Sequence, residues 1–271
     1  MFRNNVAWVN NNLTSTPLYN GNWCKIDILK LAQKIEGHYP KSIIIFRSLE
    51  PKTEPRLFNK FDRIDFIPLL GRQVYIFDPK TSNYKRKRSF QMDKKLCKEQ
   101  TCYYWTLLDL NNESEIDRVL SLYTKLYIEK HSVYNPMYTR KFVKDGFGKF
   151  KLRFEVLKDK KDHKIVAEQG IQETERVINT CFIGYDQTLP IKIGLYRMMN
   201  FELMTQAIKK NKVLNMSSGA GDFKTKRGAV PSFEYQMIYK KNLSGLHRKI
   251  WEYIVHLLEL KVKRQMETLK V

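Results

Sequence analysis

KVLNMSSGAGDFKTKRG, residues 212–228, decides the fold expected of this chain. A short apolar run, Val213 and Leu214, breaks into Ser217, Ser218, Gly219, Ala220 and Gly221, then passes directly into a basic turn with Lys224, Lys226 and Arg227. Glycines between a strand and a helix let backbone N–H groups converge on one spot, and nearby cations reinforce it. The pattern therefore predicts a site for an anionic ligand. The same glycines would also serve merely to turn the chain, since neither the full dinucleotide fingerprint nor the P-loop pattern is present.

The flanking segments favour the site. RVINTCFIGY (176–185) is rich in β-branched and aromatic residues and predicts a buried strand. Pro190 then opens a helical segment, IKIGLYRMMNFELMTQAIKKN, with apolar residues at Ile193, Tyr196, Met199, Phe201, Leu203, Met204 and Ile208. Lys209, Lys210 and Lys212 sit at its negative end. FEYQMIY (233–239) reads as a last strand. The order is strand, helix, strand, glycine loop, basic turn, strand: a βαβ unit with two anion-binding turns at the carboxyl ends of its strands.

That succession resembles the catalytic half of the GNAT acyltransferase superfamily, in particular its CelD-like and FemAB-like branch. The residues that carry the resemblance are IGYD (183–186), the Pro-led helix with GLY (194–196) in its first turn, the glycine loop, and Phe223-Lys224, which matches an aromatic-Lys pair of that branch. LYTKLYIEKHSVYNPMYTRKFVKDGF (122–147) fits the paired first helices, and residues 150–186 the antiparallel strands that follow. The resemblance implies a mixed α/β fold (an α+β mixed sheet) of two GNAT-like halves: residues 1–108 not binding cofactor, 109–243 binding acyl-CoA, and 244–271 a C-terminal helix. It further implies an N-acyltransferase, most simply an N-acetyltransferase, that moves an acyl group from acetyl-CoA or another acyl-CoA to an amine by direct attack on the thioester, without a metal. CelD-like relatives occur in glycan biosynthesis, so a nucleotide-linked amino sugar is one acceptor the resemblance suggests.

The same resemblance distributes the site residues. Coenzyme A pyrophosphate is expected over the N–H groups of Ile193, Gly194 and Leu195 beside Lys192, with Asn215 also on the cofactor. Ser217, Ser218, Gly219, Gly221, Lys224 and Arg227 would form the wall touching the pantetheine arm or the acceptor. The Q/R-x-x-G-x-G/A loop of typical GNAT enzymes is absent, and TLPIKIG (188–194) stands in its place. Acyl transfer needs a base for the amine and an acid for the thiolate. Glu168 and Asp186 are the candidate bases, and Tyr185 or Tyr235 the candidate acid. His163, in KDKKDHK, belongs to a predicted hairpin turn. No nucleophilic Ser or Cys motif is evident.

Composition bounds the rest. At 271 residues and 42% hydrophobic, the chain supports a real core and is not disordered. Its formal charge of +21 exceeds what coenzyme A or a nucleotide sugar requires. This keeps open a FemAB-like aminoacyl transferase using aminoacyl-tRNA, or a non-enzymatic nucleic-acid binder, although the compact anion site favours a small donor. The densest basic run, residues 80–98, reads as a solvated loop between strands in preference to a phosphate-backbone or localisation patch. Cys24, Cys97, Cys102 and Cys181 lack zinc-site spacing and read as reduced thiols. No stretch is apolar over a membrane-spanning length and MFRNNVAWVNNN lacks a signal-peptide core, so a soluble cytoplasmic protein without a membrane partner, monomer or homodimer, is expected.

In the N-terminal part, SIIIFRSLE (42–50), FIPLLGRQVYIFDP (66–79, with a turn at Gly71) and YYWTLLDL (103–110) read as strands. Residues 27–36 read as a helix capped by Asp27 and ended by Gly37. Arg47, Arg72, Gln73 and Tyr75 are candidates for an acceptor pocket. The C-terminal helix has apolar residues at Leu246, Ile250, Ile254, Leu257, Leu258, Val262 and Met266, with Ser244 as its cap.

Overall fold

A computed structural model describes residues 5–11 and 14–264. In chain order the elements are β1 (Asn5–Val9), α1 (Ile28–His38), β2 (Ser42–Leu49), α2 (Pro55–Asp62), β3 (Phe66–Phe77), α3 (Arg88–Glu99), β4 (Tyr103–Leu107), α4 (Glu113–Tyr123), α5 (Arg140–Phe150), β5 (Leu152–Asp159), β6 (Ile165–Glu173), β7 (Val177–Tyr185), α6 (Leu195–Lys210), β8 (Val213–Asn215), α7 (Gly221–Thr225), β9 (Val230–Tyr239) and α8 (Gly245–Leu257). A π-helical turn, Thr124–Glu129, extends α4, and another, Leu258–Lys263, extends α8.

All nine strands form one mixed sheet in the order β1-β2-β9-β3-β8-β7-β6-β5-β4. The strands of residues 1–108 and 109–243 interleave in it. β9 pairs with both β2 and β3, and β4 pairs with β5. The single antiparallel path from β4 to β7 switches to parallel at β7–β8, which is the βαβ unit closed by α6.

Alternation along the strands places the helices. Val156 packs with Ile116, Val119 and Leu122 of α4, whereas the next residue, Leu157, packs with Leu195, Met198 and Met199 of α6; α4 and α6 therefore cover opposite faces. In the same way Phe46, Phe66 and Met237 pack with α1 and α2, and Ile45, Ile67 and Ile238 with Trp251 and Val255 of α8. The C-terminal helix thus lies along the sheet, started by Ser244, whose hydroxyl accepts the His247 N–H. Met266 lies outside the described residues. Asp27 caps α1 by accepting the Lys30 N–H at 3.0 Å.

Four local expectations are corrected. Gly37 is inside α1, which runs on to His38, because the space around its Cα is open and nothing forces an exit. Gly71 is a bulge in one continuous strand rather than a turn, and a Cβ there would lie 3.0 Å from the Glu234 carbonyl oxygen. Residues 80–98 are largely the helix α3, whose Phe90 is buried against Tyr84. Pro190 leads a short 3-10 turn, Ile191–Ile193, and α6 starts only after Gly194, whose φ of +79° requires glycine.

Candidate active site

β7 and β8 run parallel for only three residues. Their ladder covers Val177–Val213, Ile178–Leu214 and Asn179–Asn215 and then stops. Two causes are local. β7 carries a bulge between the pairs Gly170–Phe182 and Ile171–Thr180, which re-aims its second half. Past Asn215 the chain stays on β3 instead, with the Met216 N–H donating to Tyr75 O and the Tyr75 N–H to Ser217 O. The strands splay, leaving the Thr180–Tyr185 edge of β7 without a strand partner on that side.

The opening is a cleft of about 520 Å³ lined from both faces of the sheet. Leu126, Tyr127, Lys130 and His131 reach it from beyond α4, Tyr196, Asn200 and Leu203 from α6, and Arg72 from β3. Thr180, Ile183 and Tyr185 of β7 form its floor, and residues 216–220 with Lys224 its far wall. The Thr180 hydroxyl is buried there with no hydrogen-bond partner. Buried polar groups are seldom left in that condition unless something else meets them.

Lys224 is the most unusual group in the wall. Its side chain is 3% exposed, and Nζ donates to the Ser218 and Ser217 carbonyl oxygens at 2.8 and 3.1 Å, 5.4 Å from the Tyr75 ring centroid. Burial, aided by the Arg72 charge, lowers its pKa from 10.5 to about 7. A neutral amine placing two N–H bonds on two carbonyls keeps a lone pair for the cleft. The loop that presents these carbonyls is held open by left-handed backbone at Ser217, Gly219 and Ala220. Asn215 is buried under it and accepts the Ser217 N–H at 2.9 Å.

The overall fold resembles that of solved structures. L-PGS from Bacillus licheniformis aligns with a TM-score of 0.57 at 17% identity, over 84% of this chain and 77% of that one. FemX aligns with a TM-score of 0.59 at 7% identity, over 86% and 80%. The C-terminal domain of a putative lysylphosphatidylglycerol synthetase from Agrobacterium fabrum aligns at 0.55 and 10%, over 85% and 76%. The fold is GNAT-like. No family model matches the chain, and no curated protein matches it in sequence.

Within the cleft, Ser217, Ser218, Gly219, Lys224 and Tyr185 come together. The other expected residues are held elsewhere. Arg227 is buried on Asp93 of α3, Nε to Oδ2 at 2.5 Å, with its guanidinium 3.4 Å above the Phe223 ring centroid; it pins α7 to α3 and does not line the cleft. The Ile193 and Gly194 N–H groups donate to Pro190 O and Ile191 O within the 3-10 turn, and Gly194 packs against Leu96 of α3. Lys192 is exposed beside them. Gly221 begins α7, and Leu195 is buried with Met198 and Met199.

The two candidate bases are both buried. Asp186 is tied by Arg118 Nη2 at 2.6 Å and by the Thr188 hydroxyl and N–H; burial raises its pKa, but these bonds outweigh it and hold the carboxylate below its usual range. Glu168 pairs with Val156 and Gly184, so its side chain points to the α4 face, opposite Tyr185. Both its oxygens lack hydrogen-bond partners and burial raises its pKa well above the usual value. It does not line the cleft. His163 closes the β5–β6 hairpin with φ +58° and meets the Tyr104 hydroxyl, and Tyr235 is buried beside Phe58. Arg72 is the acceptor-pocket candidate that reaches the cleft, steadied by Glu234 at 3.2 Å and the Ser15 carbonyl at 2.9 Å. Tyr127, Tyr196, Asn200 and Thr180 went unrecognised in the sequence because nothing in their local pattern separates them from core. Among the described residues no group of His, Cys, Asp and Glu gathers as metal ligands would.

Proposed function

We propose that the chain is an acyltransferase that passes an acyl group from an activated carrier to an amine within the splayed cleft. The observation that carries this is the unpaired Thr180–Tyr185 edge of β7 facing the buried Lys224. An extended carrier arm with amide groups would add to that edge as a strand does, with Thr180 Oγ as a further partner. The acceptor nitrogen attacks the carbonyl carbon, the carbon–nitrogen bond forms, and the bond from carbon to the carrier's sulfur or oxygen breaks. Lys224, increasingly neutral above about pH 7, takes the proton lost by the amine and returns it to the leaving atom. Tyr185, whose hydroxyl burial pushes up, keeps its proton and donates a hydrogen bond to the developing negative charge.

Acyl-CoA is the donor to test first, with an amine such as an amino sugar as acceptor. The N–H groups expected to hold its pyrophosphate at Ile193 and Gly194 are engaged within their own turn. That observation, the likeness to FemX and the +21 charge favour a second reading, an aminoacyl transferase of the FemAB type drawing on aminoacyl-tRNA. Calorimetry with acetyl-CoA, followed by thiol release with amine acceptors, separates the two. Saturable binding and turnover support the first reading. No heat at millimolar ligand together with salt-sensitive binding of aminoacyl-tRNA supports the second. Neither ligand binding would remove the proposal.

A further inference from the structure

The most exposed large apolar side chains among the described residues are Ile191, Tyr134, Met137 and Val133, at 98, 95, 80 and 72%. Three occupy the turn between the π-helical turn and α5, the fourth the 3-10 turn before α6, and the two turns are joined where Lys130 Nζ donates to Gln187 Oε1 at 3.2 Å. The first turn borders the cleft, whose lining includes Lys130, His131 and Asn135, and the second lies in the chain between Tyr185 and Tyr196, which line it too.

Neither turn is loosely held. The Ser132 N–H donates to Tyr127 O, the Asn135 side chain to Tyr127 O and Ser132 O, and the Tyr123 hydroxyl to Pro136 O at 3.1 Å. The polar Asn135 is turned inward while Val133, Tyr134 and Met137 project outward. In the second turn Ile193 packs toward Leu195 and Met198 while Ile191 stands in solvent. This inverts the arrangement expected of a turn that faces water. Single exposed apolar residues need no explanation, but the four most exposed of them on two turns joined by a hydrogen bond mark an interaction surface.

The occupant follows from shape and charge. Side chains that project largely exposed from two turns suit a soft medium they can enter, not a rigid partner that must supply a matching pocket. Tyrosine is at home at a membrane–water boundary. Lys125, Lys130 and Lys192 are exposed in the same two segments, against the lone carboxylate of Glu129. We propose that these turns dock the cleft mouth onto an anionic lipid bilayer, with Val133, Tyr134, Met137 and Ile191 entering the headgroup–acyl boundary and the three lysines meeting lipid phosphates. Among the described residues no helix is long and apolar enough to cross a membrane, and docking of this kind needs none.

The test is sedimentation of the full chain with phosphatidylcholine vesicles with and without phosphatidylglycerol, at low salt. Binding to the phosphatidylglycerol vesicles is expected, weakening with salt, and falling about ten-fold or more in the variant carrying V133S, Y134S, M137S and I191S. All four positions are solvent-facing, so circular dichroism should be unchanged. In a second measurement, the indole introduced by Tyr134→Trp should be quenched by brominated acyl chains. Failure of the unaltered chain to sediment, equal partition of the four-site variant, or an unquenched indole would overturn the proposal. So would concentration-dependent self-association without lipid that the four-site variant abolishes, which would assign the patch to a second copy. None of these readouts requires turnover, so they stand or fall apart from the acyltransferase reading.

Discussion

Glu168 and Gly184 face each other across the β6–β7 ladder with no room for another atom: a Cβ on Gly184 would lie 2.6 Å from Glu168 Oε1 and 2.7 Å from the Leu122 carbonyl carbon and the Tyr123 nitrogen. The missing side chain is what lets α4 approach the sheet and the Glu168 carboxyl lie beneath it. Gly184→Ala should therefore destabilise the protein by about 1–3 kcal/mol in urea denaturation. Adding Glu168→Ala should restore only part, because the α4 backbone remains in the way. Full restoration would mean that the carboxyl alone sets the spacing.

The Glu168 carboxyl also predicts a pH dependence. Burial holds its pKa well above 4.5 in the folded chain, so from about pH 4.5 upward the unfolded chain loses this proton first and stability falls as pH rises. Glu168→Gln, which mimics the protonated form, should flatten that fall while changing stability little at pH 5. An unaltered slope in thermal melts of the variant would show that the carboxyl is ionised in the fold.

Lys224 has the opposite sign. Its pKa is depressed from 10.5 to about 7, so its contribution is fully present above about pH 10.5 and is lost as pH falls toward 7, where the folded chain must take up a buried charge. Lys224→Met should remove this alkaline gain in stability. It should also abolish acyl transfer, as should Lys224→Ala, and the unaltered protein should lose activity below about pH 7. Wild-type activity in Lys224→Met would leave the residue a purely structural clamp on the glycine loop.

Asp93 holds two guanidinium groups, Arg197 at 2.6 Å and Arg227 at 2.5 Å. Removing one member of a buried pair leaves the other uncompensated, so Asp93→Asn should cost about 3–5 kcal/mol. Arg227→Met, which leaves Arg197 to neutralise Asp93, should cost less. Equal costs in chemical denaturation would indicate that Arg197 does not share the carboxylate.

How far the sequence could be read differed with the range of the forces. The βαβ core was legible because burial writes β-branched runs into 176–185 and helical spacing into 195–210. Lys224 stands out in the sequence by its place after the glycines, but its depressed pKa comes from burial and from the charge of Arg72, more than a hundred residues away. Arg227 was misleading for the same reason: nothing near it announces Asp93. The charge run at 80–98 hid a helix because its buried aromatics, Tyr84 and Phe90, are interspersed with lysines and arginines, several of them facing water. Cleft residues such as Thr180 and Tyr196 are ordinary strand and helix residues until the bulge in β7 parts the strands.

β9 lies between β2 and β3, although more than 150 residues separate it from β3 along the chain. During synthesis the first three strands therefore leave the ribosome long before the partner that joins β2 to β3, and two hydrogen-bonding edges stay open until residue 239 is made. The newborn chain should depend on holding chaperones in proportion to how slowly its last third is translated, and a truncation before β9 should aggregate rather than yield an N-terminal fragment.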